Sequence, residues 1–402
     1  MQPSPNLNNK RQLRLAFGNL CDRNWIAGCH YLKNLFVALR SLEEPLEIVL
    51  LYWTPPADET HQILAPYVDE QLTFTSVSRP LPIRAASYLA RRFDIPTTID
   101  VPMAAFLRQN RIDALLMMND MGTGFNFPLM VWVADFQHVH LPEMFTPQEI
   151  QLRNANLLTV AERATRIILS SQTAKRDFEQ FVPQFIDKAR VLSFVSQPPE
   201  NVYEGDPAWV CEKYHLPERF FYLPNQFWKH KNHKIVIDTL ALLKQRLPQI
   251  SVVCSGNTHD YRTPGYFPDL LTTISTAGVR ENLVILGMVP HDHIFPLMRQ
   301  SLAILQPSFF EGWSTTVEET KSIGKRMILS DIAVHREQNP PNALYFDPHD
   351  SQALAEKLIQ IYDEAQPGPD LAMEAAAGDD LPYRTRDFGQ TFVDIVRDLG
   401  VI

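Results

Sequence analysis

Gln306-Pro307-Ser308-Phe309-Phe310-Glu311-Gly312-Trp313-Ser314-Thr315-Thr316-Val317-Glu318-Glu319, with Gly324-Lys325-Arg326-Met327-Ile328-Leu329-Ser330-Asp331 shortly after it, decides how this chain is read. Apolar residues 302–305 precede it and 325–329 close it. Each run has the length of a short buried strand, so a turn and a helix belong between them. Strand, loop, helix, strand is the repeating unit of a parallel sheet. Thr315 and Thr316 each stand three residues before a carboxylate, Glu318 and Glu319, which is the capping-box spacing, and Gly312 permits a sharp turn just ahead. The helix is therefore expected to open at 315–316, with Glu311 in the preceding loop and Glu319 in the first turn. Its exposed N–H groups and partial positive charge would point out of the C-terminal edge of the sheet, where an anion such as a phosphate sits.

Taken singly, Glu319 need only complement the helix dipole and Glu311 need only be a solvated loop acid. The whole string is more particular. Two glutamates separated by seven residues, Gly312 after the first, a helix between, then a Gly-Lys-Arg-apolar strand ending in Ser-Asp, resemble the signature of the retaining GT-B glycosyltransferases. Within these the pattern is that of glycosyltransferase family 4, of the bacterial polysaccharide-biosynthesis type. The resemblance implies two Rossmann-like doubly wound domains facing a central cleft. It also implies that Glu311 contacts a donor sugar, that the backbone over 314–317, from Ser314 through Thr315 and Thr316, meets a diphosphate, that Gly312 and Trp313 are among the donor-binding residues, and that Glu319 binds ribose hydroxyls.

The chain has 402 residues, more than one ordinary core, and a globular composition of 45% hydrophobic and 21% charged residues. No apolar run is long enough to span a bilayer, and no signal peptide opens the sequence, so a cytoplasmic protein is expected. A net charge of −9 argues against a nucleic-acid partner bound through many phosphates. Cys21, Cys29, Cys211 and Cys254 lack metal-ligand spacing and read as reduced structural thiols.

The first domain is assigned to 1–200. Apolar 13–17 reads as a strand, and Gly28 as the start of a helix with Tyr31, Leu32, Leu35, Phe36 and Leu39 on its buried face. By resemblance, Trp25-Ile26-Ala27-Gly28 is the glycine loop beside the donor diphosphate; on its own, Gly28 serves equally as a packing glycine. Alternating strands and helices continue to about 194, the pattern of a doubly wound domain. Segment 79–92 carries Arg79, Arg84, Arg91 and Arg92 with no acid, interleaved with Leu81, Ile83, Tyr88 and Leu89. It suits an anionic membrane surface on the inner face of the plasma membrane or a lipid-phosphate acceptor, and suits a plain surface helix more simply. An apolar strand over 128–134 then delivers Asp135-Phe136-Gln137-His138-Val139-His140 to the C-terminal edge of the sheet. This resembles the family's acceptor-domain loop, whose histidine reaches the transferred sugar, a role that falls to His138.

A Pro/Gly-containing linker is expected at 195–207, and the donor domain at 201–382. Its first strand leads to Pro224-Asn225-Gln226-Phe227-Trp228-Lys229-His230-Lys231. Family 4 places an arginine and, five residues on, a lysine here to grip the diphosphate. Lys231 fits the lysine, Gln226 stands at the arginine position, and Lys229 is the nearest compensating charge. Cations at a helix start oppose its dipole unless an anion joins them. Gly256 resembles the second glycine loop, Met288 and Val289 are placed by resemblance at the base, and helix 383–402 is expected to return to the first domain.

The resemblance implies metal-independent hexosyl transfer without a cofactor. The donor would be a UDP-sugar such as UDP-glucose, or secondarily GDP-mannose; the acceptor, a polysaccharide or lipid-linked oligosaccharide. Lys231, Glu311 and His138 are the candidate catalytic groups. No Asp-x-Asp metal pair occurs, and no Gly-x-Gly-x-x-Gly follows the first strand, which argues against a nicotinamide dehydrogenase. The non-enzymatic alternative is a carbohydrate-binding or assembly protein on a degenerate GT-B scaffold, a reading that rests on Gln226.

Overall fold

A computed structural model describes residues 12–21, 26–53, 60–74, 100–119, 121–122 and 124–401. The basic segment 79–92 lies outside them. The chain divides into two compact units. One holds 1–134, 152–194 and 384–402; the other holds 135–151 and 195–383. The first is thus not contiguous as a 1–200 domain would be, because 135–151 makes its contacts with the second unit.

The first unit is built on seven parallel strands: β1 (Leu13–Gly18), β2 (Leu46–Tyr52), β3 (Glu70–Thr73), β4 (Ala114–Met117), β5 (Leu129–Val133), β6 (Arg166–Leu169) and β7 (Ala189–Val191). Their order is β3-β2-β1-β4-β5-β6-β7. The helix Ile26–Arg40 holds Gly28 buried in its first turn. Phe17 of β1 meets Phe36 of that helix edge-on at 4.8 Å and Phe392 of the C-terminal helix at 5.7 Å. Gly389 lets that last helix approach closely, since a Cβ there would lie 2.5 Å from the Ala38 carbonyl.

Two expectations are corrected here. Cys21 and Cys29 are joined in a disulfide, their Cα atoms 4.4 Å apart, so these are not reduced thiols; a separation of eight residues fits no recognised motif. The last helix, expected over 383–402, begins at Leu371 and runs unbroken to Arg397 through Pro382.

The second unit has six parallel strands: β8 (Phe221–Pro224), β9 (Val252–Ser255), β10 (Leu283–Ile285), β11 (Ile304–Gln306), β12 (Met327–Ser330) and β13 (Leu344–Phe346), in the order β10-β9-β8-β11-β12-β13. Both faces are covered. Phe221, Leu223, Leu305 and Ile328 enter one apolar cluster, while Tyr222, Ile304, Met327 and Leu329 enter the other. Covered faces explain why these strands read as unbroken apolar runs. The order reverses between β8 and β11, and a doubly wound sheet opens its binding crevice at the carboxyl ends of the strands flanking such a reversal.

Candidate functional site

That reversal brings together two loops that are far apart in sequence. One leaves β8 as Asn225 to Asn232; the other leaves β11 as Pro307 to Ser314. Backbone and side chain bind them to each other: Phe309 N–H donates to the His230 carbonyl at 2.9 Å, and Asn232 Nδ2 donates to the Pro307 carbonyl at 3.1 Å. Asn232 holds φ at 57°, left-handed, which sets the start of the helix His233–Leu243.

At the junction, Lys231 Nζ lies 2.6 Å from Glu311 Oε1. The same oxygen accepts from Ser308 Oγ at 2.6 Å and from Gln306 Nε2 at 2.9 Å, and Asn225 donates to Gln306 Oε1. Burial pushes the Glu311 carboxyl up, but Lys231 and the hydroxyl of Ser308 outweigh it and hold it below its ordinary value. The site therefore carries an ionised glutamate against a cation. His230 and His233, both buried, are driven down to about 3, first by burial and then by Lys231, and stay neutral.

The helix beyond the loop is Thr315–Ile323, and its cap differs from the capping-box expectation. Ser314, not a threonine, is the N-cap: its hydroxyl accepts from Val317 N–H at 3.4 Å while receiving Gln306 Nε2 at 3.0 Å. Both residue types fit an ST-x-x pattern; the network around Gln306 selects Ser314. Glu319 consequently sits one or two residues further in than expected. Gln338, buried, accepts from Ser314 N–H at 3.2 Å and donates to the Ser314 carbonyl at 3.0 Å and to Glu318 at 3.1 Å. Two amides of the 314–317 run are thus taken by protein, leaving those of Thr315 and Thr316 for an anion at the helix start.

Glu319 is desolvated with no side-chain hydrogen bond among the described residues, and burial raises its carboxyl to about 7. Tyr222, which feels the Glu319 charge, is hydrogen-bonded to Ser255 at 2.6 Å. A half-buried carboxylate without donors is a place prepared for hydroxyl groups.

The remaining expected residues fall as follows. Gly256 is needed by geometry: its φ is +146° and a Cβ would lie 2.3 Å from the Asn225 carbonyl, in the very loop that leads to Lys231. Gly256→Ala is expected to cost about 3 kcal/mol or more in a urea titration, because the clash is with backbone that cannot swing aside. Gln226 is half-buried and Lys229 exposed, its N–H held by Asp260 at 3.2 Å. Met288 is exposed, and the loop is pinned beside it, Gly256 N–H donating to the Gly287 carbonyl at 2.8 Å; Val289 is partly buried. Gly312 and Trp313 are half-buried in the β11 loop. Gly28 belongs to the first unit.

His138 lies buried in a short helix, Gln137–His140, on the segment that groups with the second unit. His140 stacks on Phe310, the neighbour of Glu311, at 5.0 Å. Sequence reasoning missed Arg262, Gln306, Ser308 and Gln338. Their partners lie 3 to 125 residues away in mixed loops, and nothing local marks them.

Comparison with known proteins adds to this geometry. Residues 213–376 match the family model for glycosyl transferases group 1. Solved structures match along almost the whole chain. Anabaena HepE in complex with UDP is 17% identical with a TM-score of 0.63, over 96% of this chain and 100% of that one. The chain has the GT-B fold. A glycosyltransferase from Rickettsia africae matches at 15% identity and TM-score 0.64, covering 97% and 99% of the two chains. Sucrose-phosphate synthase from Thermosynechococcus elongatus matches at 14% and 0.60, covering 97% and 98%. No curated protein matches the chain. Within this GT-B frame, the cation, helix start and two glutamates all fall inside the residues matched by the family model. No group of three or more metal-ligating side chains forms among the described residues, and no described helix is long and apolar enough to cross a membrane.

Proposed function

We propose that the chain is a retaining hexosyltransferase of the family 4 type, working without a metal. It takes a hexose from a UDP-sugar, UDP-glucose first and GDP-mannose second, to a polysaccharide or lipid-linked oligosaccharide. The observation that carries this reading is the meeting of Lys231, Glu311 and the Thr315 and Thr316 amides at the sheet reversal, with desolvated Glu319 one turn away. Together they offer positive potential for a diphosphate and acceptors for hydroxyls. HepE, whose structures are described as complexes with UDP and with UDP-glucose, supports a uridine donor.

In this reading Lys231 and the helix amides stabilise the charge that builds on the departing diphosphate, and Glu311, positioned by Ser308 and Gln306, contacts the sugar. Glu319 accepts from the ribose hydroxyls, Met288 and Val289 offer backbone groups to the base, and His138 meets the transferred sugar. The bond from the anomeric carbon to phosphate oxygen breaks, the bond to the acceptor oxygen forms on the same face, and the acceptor's proton passes to the leaving phosphate. The protein acts in the cytoplasm, with peripheral contact to the inner face of the plasma membrane through 79–92, and has no nucleic-acid partner.

The test is hydrolysis of UDP-glucose in chelator, with water as acceptor, followed by proton NMR of the released sugar. α-Glucose forming first, before mutarotation, is the expected result. β-Glucose forming first contradicts retention; no release from UDP-glucose or GDP-mannose contradicts the enzyme reading in favour of a binding scaffold.

A further inference from the structure

We propose that Arg262 is a positioning residue that fastens the His138-bearing segment 135–151 to the donor-side loop. Its guanidinium is almost completely enclosed, with 7% of the side chain exposed. It lies over the rings of Trp228 at 4.8 Å, Phe145 at 5.3 Å and Tyr261 at 5.7 Å. Nη1 donates to Gln137 Oε1 at 2.7 Å, and Nη2 is 3.4 Å from His230 Nδ1. Asp260 balances the charge from 3.7 Å, and its other oxygen holds the Lys229 N–H at 3.2 Å.

An arginine near a proposed diphosphate site invites another reading, that it replaces the arginine absent at Gln226. The enclosure argues against it: every face of this cation is occupied by a ring, a carboxylate or an amide oxygen. What it does reach is both ends of the 137–145 turn. Gln137 is bonded on one side of His138 and Phe145 stacked on the other, while Trp228 and His230 belong to the loop that ends in Lys231. A planar, always-charged fork can stack and donate sideways together, which lysine cannot. Arg262 thereby fixes where His138 stands relative to the donor loop; its importance for turnover rests on the reading of His138 and Lys231 given above.

Hydrogen–deuterium exchange on the full chain tests the fastening without any activity. In Arg262→Met the Val139 and Leu141 amides, bonded to Phe136 and Gln137 carbonyls, should exchange about 10-fold faster or more, with strands β8, β9, β11 and β12 unchanged. Gln137→Ala should loosen the same amides and serves if Arg262→Met fails to fold; Gln137→Glu, which keeps an acceptor, should not. UDP affinity by calorimetry should stay within about twofold, while UDP-glucose hydrolysis falls about 10-fold to 100-fold at little-changed KM, the signature of lost positioning rather than lost binding. Unchanged exchange in Arg262→Met and Gln137→Ala overturns the proposal. UDP affinity falling as steeply as turnover also overturns it, in favour of a phosphate ligand. If the unaltered protein turns over no donor, the functional reading fails and exchange still decides the fastening.

Discussion

Lys231→Ala is expected to lower turnover of a nucleotide-sugar donor by about 10² to 10³-fold, the usual loss when one preorganised donor to a developing anion is removed. Lys231 is the one cation in direct contact with Glu311 among the described residues, and Gln226 supplies no second charge beside it. The same substitution should also cost stability. Glu311, with 10% of its side chain exposed, keeps Ser308 and Gln306 as donors but loses its counter-charge. The sign follows from the lowered carboxyl. In the intact protein the pair contributes stability that is present above the unfolded carboxyl pKa and is lost as pH falls through the folded one. Without Lys231 the largest influence holding the Glu311 carboxyl down is gone and burial is opposed chiefly by the remaining hydrogen bonds, so the stability gap to the unaltered protein should be widest near neutrality and close in acid. A charge-free pair, Lys231→Met with Glu311→Gln, separates the two effects. It should recover most of the lost stability, since replacing both members of a buried pair is close to neutral, and recover none of the turnover. Recovery of turnover in that double variant would remove Lys231 from the chemistry.

Glu319→Ala should weaken nucleotide binding about 10-fold or more with a smaller effect on the bound complex, whereas Glu311→Ala should chiefly lower turnover and leave nucleotide affinity within a few fold. A pH series sharpens the assignment. Burial lifts Glu319 to about 7, so the carboxylate assigned above, as a proposal, to the ribose hydroxyls is the minor form at pH 6 and the major form at pH 8. Affinity for UDP should rise across that interval. The terminal phosphate of UDP also titrates near pH 6, so the decisive comparison is with Glu319→Gln, whose profile should keep only the phosphate component. Stability runs the other way. A carboxyl raised by folding contributes fully below its unfolded value and loses that contribution as pH climbs to about 7. Glu319→Gln should therefore gain thermal stability over the unaltered protein above pH 7 and match it in acid. Parallel affinity profiles for the two proteins would take Glu319 out of the ribose site.

The sheets were legible because burial on both faces writes each strand as an apolar run, and the loops between them carry glycine, proline and polar residues. The GT-B architecture followed from one motif, and the resemblance alone put Lys231 and Glu311 at one site; the strand order that brings the β8 and β11 loops together is seen only in the structure. What the sequence did not disclose has a common physical cause. Ser314 outcompetes Thr315 and Thr316 as cap because Gln306 and Gln338, 8 residues before and 24 after it, grip its hydroxyl and backbone. The Cys21–Cys29 bond and the helix that runs through Pro382 are likewise marked by no local spacing. Arg262 looks in the sequence like any loop arginine, and only Gln137, 125 residues away, reveals its use.

The measurement that bears most directly on the donor site is titration calorimetry of the purified, metal-free protein with UDP, GDP and ADP, repeated on Lys231→Ala and Glu319→Ala. The account predicts that UDP binds in chelator, that GDP and ADP bind more weakly, and that both substitutions weaken UDP. Absence of binding by all three nucleotides, or UDP affinity untouched by both substitutions, would contradict it.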